Sequence, residues 1–342
     1  MNQTPTAARL VLESALNAHV FPTAALDVGS SDGSLWQDAV GTAFETPFDL
    51  ASLTKPIATT TVLMDLVGKG AVTLEEPVAR SMTDWRGDDR VPVTVRELLE
   101  HASGLAARLV DAPPSGRREF EHEICTMQLE YEPRTKSIYS DLGFILLGFL
   151  AADRGGATLD AQFARLVDPI ASGLTFGLSG DEQRRAAPTI ALAEDVRRGR
   201  VLTGEVHDNY ADALGGVAGH AGLFGAAAAV GAFARAVLRA ARGDTTMPAP
   251  LTPSLVRLFT TPSTVPGSSR ALGWDTMRPT SSCGTRMSPS AFGHVGFTGT
   301  SLWIDPERDR YFVLLTNRAN GGGSVETMRE VRRAFHDALA EL

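Results

Sequence analysis

The spacing of apolar and polar positions changes along the chain, and the changes outline its elements. Residues 5–18 carry apolar side chains at helical spacing, with Ala8, Leu12, Ala15 and Leu16 on one face. Residues 24–28 and 35–40 read as strands joined through the turn Ser31-Asp32-Gly33. Helical spacing returns at Ser52, runs through Leu63 and Leu66, and ends near Gly68 or Gly70. Thr94-Val95-Arg96-Glu97 has the form of a capping box and opens a short helix. Residues 141–153 form a strongly apolar helix closed by Gly155-Gly156, and 158–167 continue as helix. Residues 173–203 lose the pattern and read mostly as loop. Residues 226–242 form a helix ended by Gly243, and Thr252-Pro253 opens another. The period then becomes two. Residues 271–277, 292–297, 301–305 and 311–316 read as strands, with Pro306-Glu307-Arg308-Asp309 turning the last pair into a hairpin. A final helix is predicted over 324–340.

Strands therefore lie at both ends and helices between. Strands so far apart must meet in one sheet, or each end keeps unpaired edges. The predicted fold class is α/β (α+β): an antiparallel sheet of about five strands from both termini, flanked by the terminal helices. Residues 1–70 and 265–342 supply the sheet domain and 71–264 the mostly helical inserted region, with the site between them. The 342-residue length allows about two domains or one large one.

Composition changes this picture little. Hydrophobic residues make up 43% and charged residues 21%, as in ordinary globular chains. A net charge of -8 and the absence of a basic run argue against non-specific nucleic-acid binding. The Arg197-Arg198-Gly199-Arg200 cluster reads as a solvated loop. Cys125 and Cys283 fit no metal spacing and are expected to be free thiols. No run approaches the roughly 18 apolar residues of a membrane span, and no leader pattern opens the chain, so the expectation is a cytoplasmic protein without a membrane partner.

The candidate chemistry lies in Ala51-Ser52-Leu53-Thr54-Lys55. Positions i and i+3 share a helix face, so the Lys55 amine can reach the Ser52 hydroxyl. A serine is a poor nucleophile until a neighbouring base takes its proton. Lysine occurs only at 55, 69 and 136, which makes a chance pairing less frequent. Gly29-Ser30-Ser31-Asp32-Gly33 matches Gly-x-Ser-x-Gly, but a strand follows it instead of a helix, so it is a plain turn. Tyr139-Ser140-Asp141 directly precedes the apolar helix. A tyrosine there can act as a base if positive charge lowers its pKa, or can simply be a packed aromatic. Residues 292–300, Phe-Gly-His-Val-Gly-Phe-Thr-Gly-Thr, lie on a strand edge. Their glycines let a backbone approach a ligand, unless they only form a bulged edge.

Taken in order, Ser-x-x-Lys, Tyr-x-Asp and His-x-Gly on a strand resemble the serine β-lactamase and penicillin-binding protein superfamily. The likeness is to its class C-like branch, which includes D-Ala-D-Ala carboxypeptidases, D-aminopeptidases and esterases. His101-Ala102-Ser103-Gly104-Leu105, Gly204-Glu205-Val206-His207-Asp208, the run 215–224 and the run 297–306 support it. The resemblance implies Ser52 as nucleophile, Lys55 as its activating partner and Tyr139 as general base. It implies the Ser52 and Phe297 N–H groups as an oxyanion hole, and Asp141, His294, Gly296 and Thr298 as substrate-binding residues. Two departures stand out. Asp141 replaces the usual asparagine and adds a carboxylate beside Lys55. His294 replaces a lysine, which predicts that neutral esters are preferred to carboxylate-bearing substrates near neutral pH.

His207 and His220 lack a partner at metal-binding spacing and are read as loop hydrogen-bonders. His101 is read as structural, and His19, His122 and His336 as surface residues. The expected activity is serine hydrolysis through an acyl-enzyme on a small ester, amide or β-lactam, with no cofactor and no metal. D-Ala-D-Ala-type peptidase, D-aminopeptidase or weak β-lactamase activity is the alternative. A catalytically silent ligand-binding protein on the same fold is the alternative of another class.

Overall fold

The computed structural model describes residues 5–339 apart from Asp111, Glu194, Val196 and Arg197. Helix α1 (Thr6–Asn17) leads into the hairpin of β1 (Ala24–Gly29) and β2 (Ser34–Val40), which Ser30 N–H closes on the Gly33 carbonyl at 2.9 Å. The short β3 (Phe48–Asp49), α2 (Thr61–Gly68), α3 (Val95–Leu99), α4 (Gly116–Thr126), α5 (Asp141–Gly155) and α6 (Leu159–Val167) follow. Then come β4 (Thr175–Phe176), α7 (Gly180–Arg185), β5 (Thr189–Ile190), β6 (Val201–Leu202), α8 (Asn209–Ala213), β7 (Leu223–Gly225), α9 (Ala227–Ala241) and α10 (Pro253–Thr260). The chain ends in β8 (Asp275–Thr276), β9 (Phe292–Val295), β10 (Ser301–Asp305), β11 (Arg310–Thr316) and α11 (Val325–Ala338).

Strands from both ends form one six-stranded sheet in the order β2-β1-β11-β10-β9-β8. The joining pair is β1 with β11, antiparallel, from Ala24 opposite Thr316 to Gly29 opposite Tyr311. The two-residue alternation sorts the side chains. Leu26, Val28, Phe312 and Leu314 pack with Ala8, Leu12 and Phe335 of α1 and α11. Ala25, Tyr311, Val313 and Leu315 face the larger core with Val230, Phe233 and Val237 of α9. The sheet has six strands where about five were expected, and the strand read over 271–277 shortens to the two-residue β8, which pairs with β9. A helix from the middle of the chain, α9, covers one face of the sheet.

Helix termini follow the local signals. Thr94 and Glu97 form the capping box, and Gly156 ends α5 in a left-handed conformation with φ of 67°. Helix α4 escapes the periodicity because Arg117, Arg118, Glu119, Glu121 and Glu123 dominate it, while Phe120, Ile124 and Cys125 point inward. The stretch expected as loop holds α7 and two short strand pairings, each too brief to show a period. Cys125 and Cys283 are free and buried.

Two surface expectations are corrected. Arg198 is buried, because its guanidinium bonds Asp195, the Val206 carbonyl and the His207 carbonyl, while Arg197 lies outside the described residues. His336 is buried under the sheet, its Nε2 3.3 Å from Ser301 Oγ and its ring edge-on to Phe312. Ala340, the last residue of the predicted final helix, is outside the described residues. Among the described residues no single helix is long and apolar enough to cross a membrane.

Candidate active site

Ser52 follows β3 after a turn held by Asp49. Ala51 has φ of 48°, a left-handed backbone that residues with a β-carbon seldom adopt. One Asp49 oxygen accepts the Ala51 N–H at 2.8 Å and the other accepts the His207 N–H at 2.6 Å. Burial pushes the Asp49 carboxyl up to about 6, against the effect of those two bonds. The predicted regular helix begins instead as a 3-10 turn at Ala51–Leu53 and a π-helical turn at Lys55–Thr60, before α2.

Lys55 is fully buried, and its ammonium is the hub of the site. Lys55 Nζ lies 3.2 Å from Ser52 Oγ, 2.6 Å from Tyr139 Oη, 2.7 Å from Asp141 Oδ1 and 3.2 Å from the His220 carbonyl. Tyr139 Oη closes a triangle at 2.7 Å from Ser52 Oγ. Ser140 caps α5, and its N–H donates to His101 Nδ1 at 3.1 Å. The His101 ring packs on Tyr139 at 4.8 Å, the structural role expected of it.

Burial works to lower the Lys55 pKa, but Asp141 and Tyr139 outweigh it, so the ammonium is held charged above its ordinary value. Burial raises the Tyr139 phenol, and Lys55 offsets only part of that. Burial opposes ionisation of Asp141, yet Lys55 and then His220 hold its carboxyl below the usual range.

A second tier of charge supports Asp141. Arg108 Nη1 donates to Asp141 at 2.8 Å and to Asp208 at 2.9 Å, and Arg108 Nη2 donates to Asn209 at 2.6 Å. His220 Nε2 lies 2.7 Å from the other Asp208 oxygen. The glycine-rich run brings this tier into place. A β-carbon on Gly219 would lie 1.9 Å from the Phe144 carbonyl, so only bare backbone can cross α5 there. Thr59 Oγ1 bonds the Gly219 carbonyl at 2.6 Å, leaving the next carbonyl, that of His220, on Lys55.

The strand-edge segment is tied to the same turn. Thr298 Oγ1 donates to the Asp49 carbonyl at 2.8 Å, and Thr300 Oγ1 to the Leu50 carbonyl at 3.0 Å. A β-carbon on Gly296 would meet the Leu50 carbonyl at 2.6 Å. Ser52 and Phe297 consequently face one cleft of about 240 Å³, lined also by Tyr139, Arg270, His294 and Gly296. A larger cavity of about 610 Å³, around Asp160, Phe163 and Asp168, shares no lining residue with it. The half-exposed Phe297 ring stacks on His207 at 5.4 Å and lies under the Arg318 guanidinium at 4.5 Å.

Two residues expected to contact substrate have other partners here. Thr298 is buried with its hydroxyl spent on the Asp49 carbonyl, so it clamps two segments together. Asp141 directs its oxygens at Lys55 and Arg108. His294 does border the cleft. Its Nδ1 lies 2.8 Å from the Val295 carbonyl, and burial, then Arg270 and Lys55, hold the ring neutral, well below the ordinary histidine range. The sequence reading missed Arg270, whose guanidinium lies 5.3 Å from the Tyr139 ring and only loosely, at 3.9 Å, by Asp275. No motif surrounds Arg270, and only the packing of its loop brings a fixed cation to the cleft where the third motif lacks its lysine.

A serine on a helix start, a buried lysine, a tyrosine beside both and a strand edge opposite thus meet at one cleft. Residues 12–336 match the family model described as Beta-lactamase, and the chain belongs to that family. It is 30% identical over 324 residues to a putative D-alanyl-D-alanine carboxypeptidase of Escherichia coli (strain K12), covering 84% of this chain and 73% of that one. It is 30% identical over 305 residues to an N-acetylmuramyl-L-alanine amidase of Bacillus subtilis (strain 168), covering 80% and 68%. Among solved structures, EstCE1, a hydrolase with promiscuous acyltransferase activity, superposes with a TM-score of 0.76 at 18% identity, covering 98% of each chain. A class C beta lactamase from Rhodobacter sphaeroides gives 0.75 at 19% identity, covering 98% and 99%.

Proposed function

We propose that the protein hydrolyses small esters or amides through an acyl-enzyme, with Ser52 as nucleophile, Lys55 as its activating partner and Tyr139 as general base. The observation that carries this reading is the triangle of Ser52 Oγ, Lys55 Nζ and Tyr139 Oη, with sides of 3.2, 2.6 and 2.7 Å. When the Lys55–Tyr139 pair holds one proton fewer, Tyr139 can accept the Ser52 proton as Oγ bonds the substrate carbonyl carbon. The carbonyl oxygen becomes an oxyanion facing the Ser52 and Phe297 N–H groups. Its collapse breaks the C–O or C–N bond, and Tyr139 returns the proton to the leaving group. Water then repeats the sequence and frees Ser52. Gly296 and His294 border the bound acyl group in this reading. The completeness of the triangle weighs against a silent ligand-binding protein.

A second reading, favoured by Arg270, is that the amide carries a carboxylate, as a peptide C-terminus or a β-lactam does. A guanidinium with a loose ion pair can bind that group, and the family relatives above include a putative carboxypeptidase and an amidase.

The test is mass measurement after a fluorophosphonate, with peptide mapping, and turnover of a nitrophenyl ester. A single adduct on Ser52 is expected, and Ser52→Ala should abolish turnover while leaving Tm within a few degrees. Retained activity in pure Ser52→Ala protein would end this mechanism.

A further inference from the structure

We propose that Arg332 is a positioning residue of the oxyanion hole, acting through the Gly296–Phe297 amide. The inference rests on the assignment of the Phe297 N–H as an oxyanion donor. Arg332 comes from α11, is 4% exposed, and its Nη2 donates to both the Gly296 and Thr300 carbonyls at 2.8 Å.

The Gly296 carbonyl and the Phe297 N–H belong to one planar trans peptide, so they point in opposite directions. A guanidinium on the carbonyl side therefore turns the N–H away from α11. The Gly299 N–H reaches the same carbonyl at 3.1 Å. Two donors on one carbonyl polarise the amide and make its N–H a stronger donor. The Gly296 N–H bonds the Thr300 carbonyl at 2.8 Å, so Arg332 braces both ends of the turn that carries Phe297.

The charge on Arg332 is harder to explain by structure alone. Among the described residues no carboxylate pairs with it, and its Nε has no hydrogen-bond partner. Burial, then Arg318, press the guanidinium down to about 9. A neutral donor would satisfy two carbonyls, whereas a buried cation without a counter-charge carries a large desolvation cost. Negative charge forming on the substrate oxygen, across that peptide in the cleft that Arg332 also borders, supplies the missing partner in the transition state only.

The experiment compares wild type, Arg332→Met and Arg332→Lys in three readouts: the fluorophosphonate adduct, kcat and KM for a nitrophenyl ester, and affinity for phenylboronic acid, which forms a tetrahedral adduct. Deleting a direct oxyanion donor costs about 10²–10³ in kcat, so loss of its brace should cost roughly 10- to 100-fold. Arg332→Met is expected to lose that in kcat with KM within about threefold, and to lose boronate affinity by a like factor. Arg332→Lys should recover part of both. Should Arg332→Met not fold, Arg332→Gln, a neutral donor, takes its place with the same expectations. Folded protein with kcat and boronate affinity unchanged, and only Tm lowered, would make Arg332 a purely structural brace and overturn the proposal. Absence of a Ser52 adduct in wild type would instead overturn the catalytic reading beneath it.

Discussion

The Lys55 ammonium lies 2.7 Å from the Asp141 carboxylate, both buried, and this pairing sets the charge state of the whole site. Asp141 raises the pKa of both Lys55 and Tyr139, so it holds protons on the pair that, in the proposed mechanism, loses one to accept the serine proton. The activity of wild type is expected to rise with pH through the alkaline range. Asp141→Asn removes the anion, which lowers both pKa values, and should move that rising limb to lower pH. A kcat/KM–pH profile with a neutral ester measures it. A limb that stays in place or moves upward would show that Asp141 does not govern the pair.

Arg270 offers the cleft a fixed positive charge, while His294 is held neutral. Arg270→Gln should raise KM for a chromogenic cephalosporin by about tenfold, the scale of a partly exposed charge pair. KM for a neutral nitrophenyl ester should stay within about twofold. Equal effects on both substrates would mean that Arg270 shapes the cleft without reading charge. A wild type that turns over only neutral esters would support the preference expected from His294.

Thr298 joins the strand edge to the nucleophile turn through the Asp49 carbonyl. Thr298→Val removes that hydroxyl and leaves a buried carbonyl one partner short, at a cost of about 1–3 kcal/mol in stability. The expected result in chemical denaturation is a lower midpoint, with KM little changed. A selective rise in KM at unchanged stability would support the substrate-binding role expected of Thr298.

Each of the two loop histidines has its Nε2 engaged, that of His207 at 3.0 Å from the Ile190 carbonyl and that of His220 at 2.7 Å from Asp208. Treatment with a chelator is therefore expected to leave kcat unchanged. A stoichiometric metal by elemental analysis, whose removal abolishes activity and whose return restores it, would contradict this.

Local spacing carried much of what the chain disclosed in advance. Ser52 and Lys55 are three residues apart, so any helical or near-helical backbone brings them to one face, and even a 3-10 turn followed by a π-turn does so. Tyr139 and the Ser140 cap are marked by the start of an apolar helix, and the period-two runs at both ends have no better partner than each other. Boundaries drifted where elements were short, as at β8, and α4 went unread because charge masked its apolar face.

Charge compensation was beyond the reach of spacing. Arg108, Asp208 and His220 stand far from Asp141 in sequence, and Arg270 and Arg332 belong to no motif at all. Periodicity reports which face of an element is buried, and so it could mark Lys55 and Tyr139 as candidates. Which ion meets which, and which buried cation is left without a partner, depends on how separate segments pack. The sequence by itself thus determined the fold class and marked Ser52, Lys55 and Tyr139 as candidates. Only the tertiary structure decided which charges surround that set and which face the cleft, because both depend on neighbours that the chain brings together only when folded.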